Sequence, residues 1–147
     1  MRRYFEDYEV GSSAEFGAIE VSAEEIVAFA QRYDPQPFHL PGADESSPYG
    51  GLIASGWNTA GLAMRVMVEN VIDGETSLGS PGLGPIRWPN PVRPGDVLRV
   101  RVNVVAAKPS TKKPDRGAVT FQVEALNQND EVVLVVEDWI GIVKRRP

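Results

Sequence analysis

The sequence predicts an α+β fold in which an antiparallel sheet wraps around one long central helix. Three observations predict it. From about Ser55 to Ile72 runs an apolar segment rich in small residues, with helical character and no wide polar face. After Gly74, two segments alternate apolar and polar residues with a period of two, and a third long strand-like segment follows them. Ahead of both comes a short amphipathic helix, and a loop rich in proline and glycine separates it from the long one.

In chain order, an early strand is expected near Ala14–Glu20. Ser22-Ala-Glu-Glu25 has the form of a capping box, with the Ser22 side chain on the N3 amide and Glu25 reaching back. Ile26, Phe29, Ala30 and Tyr33 follow at helical spacing, so Ser22 to Tyr33 forms the short helix. Pro35 stops it, because proline disfavours helical geometry in the residue before it. Between Pro35 and Gly51 the prolines and glycines indicate an irregular loop.

The long helix contains Ala54, Ser55, Gly56, Ala60, Gly61 and Ala63, surrounded by Trp57, Leu62, Met64, Val66 and Met67. A helix apolar on most sides is expected to be buried, and small residues let a sheet come close. Arg65 and Glu69, four apart, mark its wet edge. Leu98, Val100, Val102 and Val104 then alternate with Arg99, Arg101 and Asn103, and Val119, Phe121 and Val123 with Thr120, Gln122 and Glu124. A third long strand spans Glu131 to Val143, after a turn at Asn127–Asp130. Such alternation belongs to antiparallel strands with one face buried. Pro94-Gly95 suits a type II turn before the first of them. A curved sheet around a single helix is the simplest way to bury that helix, and this is the hot-dog architecture.

Size and charge narrow the function. The 147 residues suit one domain covering 1–147, with enough chain for a real core. Cysteine is absent, which excludes disulfides, thiolate metal sites and a cysteine nucleophile. The net charge of −5 and pI of about 4.9 argue against a nucleic-acid binder, which needs a strong basic face. The opening MRRYFEDYEVG has no apolar core and is no signal peptide. Leu62 to Ile72 is interrupted by Arg65, Glu69 and Asn70, so the ~20 apolar residues of a membrane span are lacking. A cytoplasmic home, with no membrane partner, is the expectation.

The sequence has one histidine, His39, in Asp34-Pro-Gln-Pro-Phe-His39. Imidazole is suited to proton transfer near neutrality. Two prolines stiffen the link, so carboxylate and imidazole can face one small cavity and grip a water, as acid/base chemistry requires. A bland reading also fits the spacing: Asp34 caps a turn and His39 is an ordinary loop histidine. Gly51-Leu-Ile-Ala-Ser55-Gly56 opens the long helix, where free amides and a positive dipole end can polarise a carbonyl. Against that stands simple close packing of helix on sheet. Lys108, Lys112, Lys113 and Arg116 form a cationic loop in an acidic protein. Such a loop either meets the phosphates of a coenzyme A or carrier arm, or is a solvated hairpin tip.

In order, Tyr4-Phe-Glu-Asp-Tyr-Glu-Val-Gly11, Asp34-Pro-Gln-Pro-Phe-His39, Gly50-Gly-Leu-Ile-Ala-Ser-Gly-Trp57 and Pro91-Val-Arg-Pro-Gly-Asp96 resemble the MaoC-like dehydratase family, which includes the (R)-specific enoyl-CoA hydratases. The resemblance implies a hot-dog fold, a homodimer or higher homo-oligomer, an acyl-CoA or acyl-carrier thioester substrate, and no metal or organic cofactor. It implies Asp34 and His39 as the catalytic pair and the Gly56 amide as the donor to the thioester carbonyl, with Ser55 and Gln36 beside the substrate. Gln36 stands where the usual hydratase motif has asparagine, and Ser55 where many members have histidine. The expected reaction is hydration of an enoyl thioester or its reverse. The alternatives are a hot-dog thioesterase and a non-catalytic acyl-binding module.

Overall fold

The computed structural model describes residues 2–147. Five strands make one sheet: β1 (Ser13–Glu20), β2 (Ile86–Arg87), β3 (Val97–Pro109), β4 (Arg116–Leu126) and β5 (Val132–Lys144). Their spatial order is β1-β3-β4-β5-β2, and every pairing is antiparallel. Two helices accompany it, α1 (Ala23–Tyr33) and α2 (Gly56–Asn70). The α+β class, with a sheet laid against one long helix, is the predicted one.

Period two decides the sheet's faces. Leu98, Val100, Val102 and Val104 are buried, and so are Val119, Phe121, Val123 and Ala125. Val102 stands opposite Val123 and Val104 opposite Phe121, so these side chains meet on the inner face. In β5 the register slips where Phe121 pairs Trp139 but Val123 pairs Val136. Asp138, in that bulge, has φ 49°. Asn127 closes the β4–β5 turn, its Oδ1 accepting the amides of Asn129 and Glu131 at 2.9 and 3.0 Å. Gly95 has φ +86° and the Asp96 amide reaches the Arg93 carbonyl at 3.0 Å, the geometry expected of Pro94-Gly95.

Ser22 caps α1, its hydroxyl accepting the Glu25 amide at 3.1 Å. The box is half formed: among the described residues no bond returns from the Glu25 side chain. Ile26 and Ala30 are buried, but Tyr33 is exposed and stacks on Phe29, so the apolar face is narrower than the spacing suggests.

Helix α2 corrects the expectation of burial on most sides. Ala63, Val66 and Met67 enter the same core as Val100, Val123 and Val133. On the other side Trp57, Met64 and Val68 are 60%, 42% and 49% exposed. The reason is that one sheet and α1 cover only one face of α2. Leu78, Leu83 and Trp88 are also exposed. Among the described residues no helix is long and apolar enough to cross a membrane.

Candidate active site

The site forms where α1 ends and α2 begins. Pro35 stops α1 after Tyr33, and Asp34 leaves the helix with φ −154° and ψ 65°, its amide still on the Ala30 carbonyl at 2.9 Å. Pro37–His39 makes one 3₁₀ turn. The Ile53 amide bonds the Phe38 carbonyl at 3.0 Å, and the Ala54 amide the Val92 carbonyl at 2.8 Å. These bonds draw the Asp34–His39 segment, the start of α2 and the Pro91–Val92 segment together.

The pair meets there. His39 Nε2 lies 3.3 Å from Asp34 Oδ2. His39 is buried and its Nδ1 is 2.7 Å from the Ile53 carbonyl oxygen. A carbonyl only accepts, so Nδ1 carries the proton and donates it. The second nitrogen, Nε2, is thereby the one free to exchange a proton. Phe38 packs edge-on against the imidazole at 4.5 Å.

Each oxygen of Asp34 has a donor. Ser55 Oγ donates to Oδ2 at 2.7 Å and Gln36 Nε2 donates to Oδ1 at 2.6 Å. Burial works to raise the Asp34 pKa, but these two bonds and the His39 imidazole outweigh it and hold the carboxyl below its ordinary value. Asp34 is therefore a carboxylate at neutral pH. Ser55 and Gln36, expected beside the substrate, spend their hydrogen bonds on Asp34. Gln36 also lines the cavity.

That cavity measures about 390 Å³ and is walled by Asp34, His39, Gly56, Thr59, Trp88 and Val133, among others. Gly56 thus borders the same space as the pair. Its amide heads α2, and among the described residues it has no protein acceptor. Asp34, His39 and Gly56 thus border one small chamber, an arrangement chemically suited to moving a proton beside a polarised carbonyl.

Residues 7–127, most of the chain, match the MaoC like domain. The chain belongs to the MaoC-like dehydratase family. It is 34% identical over 148 residues to the 3-hydroxybutyryl-CoA dehydratase of Methylorubrum extorquens, covering 97% of this chain and 85% of that protein. The crystal structure of the MaoC-like dehydratase from Rhodospirillum rubrum superposes with a TM-score of 0.88 at 41% identity, covering 99% of each chain. At 16% identity, the Mycobacterium tuberculosis protein Rv0216, described as a double hot-dog fold, gives a TM-score of 0.77 over 99% of this chain and 45% of its own. That last likeness bears on fold alone, and the fold is the hot dog.

Within this MaoC-like domain the four cations of the β3–β4 hairpin stand apart from the pair. Lys108, Lys112 and Arg116 border a separate hollow at the hairpin tip, and Arg116 is paired with Asp115 at 2.9 Å. Lys113 sits in the same tip, its amide on Ser110 Oγ. Leu134, next to cavity-lining Val133, is level with Ala125 and Val100. Lys108 lies eight residues beyond Val100, roughly 25 Å of strand.

One wall of the MaoC-like site escaped the sequence reading. Trp88 Nε1 donates to the Gly56 carbonyl at 2.8 Å, and the indole packs edge-on against Trp57 at 5.5 Å. A Cβ on Gly56 would lie 2.5 Å from Trp88 Cε2. The one signal pointing that way is a glycine at the first position of a helix, where a close neighbour needs room.

Proposed function

We propose that the chain hydrates a trans-2-enoyl thioester to the 3-hydroxyacyl thioester, or runs the reverse dehydration, with Asp34 and His39 as the acid/base pair. The observation that carries this is the 3.3 Å approach of His39 Nε2 to Asp34 Oδ2 on the wall of a cavity that Gly56 also borders. The Gly56 amide donates to the thioester carbonyl and stabilises the enolate-like charge that develops there. A water gripped between Asp34 and His39 adds its oxygen to C3. The pair takes one proton from that water, and one proton is delivered to C2, so the sum is one water across one double bond. The named activity of the Methylorubrum relative supports this reaction class.

Absorbance tests it. Hydration removes the conjugated enoyl-thioester chromophore. Release of thiol without prior hydration would make the protein a thioesterase. Binding with neither change would make it an acyl-binding module.

The working unit is a homodimer. Trp57, Met64 and Val68 on α2, with Trp88 packed against Trp57, leave an apolar surface in water. Exposed apolar patches of this kind mark partner surfaces, and a second copy seated on this face covers them. Sedimentation should give about twice the 16.1 kDa chain mass at micromolar concentration. Met64→Glu with Val68→Glu should shift the protein to monomer. A parent that sediments as a monomer would sink the proposed interface.

The cationic hairpin carries its own test. The tip borders a hollow of its own, separate from the Asp34–His39 cavity, so phosphate contacts there require a long, extended thioester arm. If they exist, Lys112→Gln with Lys113→Gln should raise KM for a coenzyme A ester severalfold at low salt and leave kcat nearly unchanged, because the contact is alike in ground and transition states. The effect should fade at high salt. An unchanged KM at low salt makes the hairpin a solvated tip.

A further inference from the structure

Ser55 is fully buried, and its hydroxyl is engaged on both sides. Its oxygen accepts the Trp57 amide at 3.3 Å, the ordinary duty of a helix N-cap. Its single proton goes elsewhere, to Asp34 Oδ2 at 2.7 Å, across 21 positions of chain. Capping α2 needs no such bond. The oxygen that receives it is the one facing His39 Nε2. A carboxylate turns readily about its last torsion. Gln36, on Oδ1, is the other anchor, and it lies in the wall of the open cavity.

We infer that Ser55 is a positioning residue for the acid/base pair: its hydroxyl fixes the rotation of the Asp34 carboxylate so that Oδ2 faces His39 Nε2, and ties that carboxylate to the amino end of α2. The kinetic part of this inference rests on the proposed hydration; the structural part does not. Asp34 is acted on by one titratable group, His39, and by two neutral donors, Gln36 and Ser55, against the opposing effect of burial. Taking away the Ser55 donor leaves burial less opposed, so Asp34 should take up its proton at a higher pH.

Ser55→Ala, Ser55→Gly and Ser55→Thr test the inference. Glycine is nearly as good an N-cap as serine, whereas alanine is poor. The glycine variant therefore removes the bond to Asp34 while largely sparing the cap. Two readouts are needed: the ¹³C titration of the Asp34 carboxyl in the ligand-free protein, and the pH profile of kcat/KM. In both the alanine and glycine variants the Asp34 midpoint should rise by on the order of one pH unit, and the acid limb of the profile should rise with it. Meanwhile kcat should fall about 10- to 100-fold with KM within about twofold, the mark of an interaction that matters in the transition state. Threonine keeps the hydroxyl and should restore the parent midpoint. A glycine variant with the parent titration and the parent acid limb would overturn the inference and leave Ser55 a helix cap only. If the parent hydrates no thioester, the hydration reading fails, and the carboxyl titration still decides the role of Ser55.

Discussion

Replacing Asp34 by Asn, or His39 by Gln, should each lower kcat for enoyl-thioester hydration by about two to four orders of magnitude, the usual worth of a positioned acid or base. Asparagine keeps the shape of Asp34 and its place between Ser55 and Gln36, but it carries no charge and turns a donor toward one of them. Glutamine can keep a polar contact with the Ile53 carbonyl but has no nitrogen that titrates. The stability cost should stay near ~1 kcal/mol per hydrogen bond lost, too little to unfold the domain. The double variant should be little worse than either single one, since residues that act as a unit are not additive. Thermal melts run beside the kinetics separate lost chemistry from lost fold. Full turnover in both single variants would end the acid/base proposal.

The fold was legible where a period could run. β3 and β4 are long, and their alternation places Leu98 to Val104 and Val119 to Val123 on the inner face, where they lie; β5 shows no such alternation, with Val133 to Val136 all buried, and only its length and apolar content announce it. Ser22 and Pro35 bracket α1 because capping and proline sterics are local effects. β2 was not legible, for two residues show no period. The exposed face of α2 was missed for a different reason. Hydrophobicity says that a helix wants cover, but it does not say that the cover belongs to the same chain. Of the site, Asp34 and His39 stand close in sequence on a stiff link, so their meeting was expected. Trp88 approaches Gly56 across 32 positions, with no local pattern to announce it. Ser55 and Gln36 were expected beside the substrate, yet only the structure shows that both donate to the same carboxylate.

At Gly56 one added carbon should do damage out of proportion to its size. In most helix positions alanine in place of glycine stabilises, by roughly 0.5–1 kcal/mol. At Gly56 the sign should reverse. The new Cβ would lie 2.5 Å from Trp88 Cε2 and 2.7 Å from Nε1, so the indole must move. Moving it breaks the bond from Nε1 to the Gly56 carbonyl and disturbs the edge-on contact with Trp57. Overpacking of this kind costs about 1–3 kcal/mol, which for a chain of this size lowers Tm by roughly 2–12 °C. Activity should suffer too, because Trp88 and Gly56 border the cavity together. If the Gly56 amide serves the thioester carbonyl, a shifted wall misplaces the bond, and kcat should drop by up to the ~10²–10³-fold that one such donor is worth. Coupling identifies the cause. In a Trp88→Leu background the clash is gone, so Gly56→Ala should cost far less stability than it does against the intact indole. A Gly56→Ala protein as stable and as active as the parent would mean that the indole has room to give, and that neither its close approach nor the placement of the amide matters.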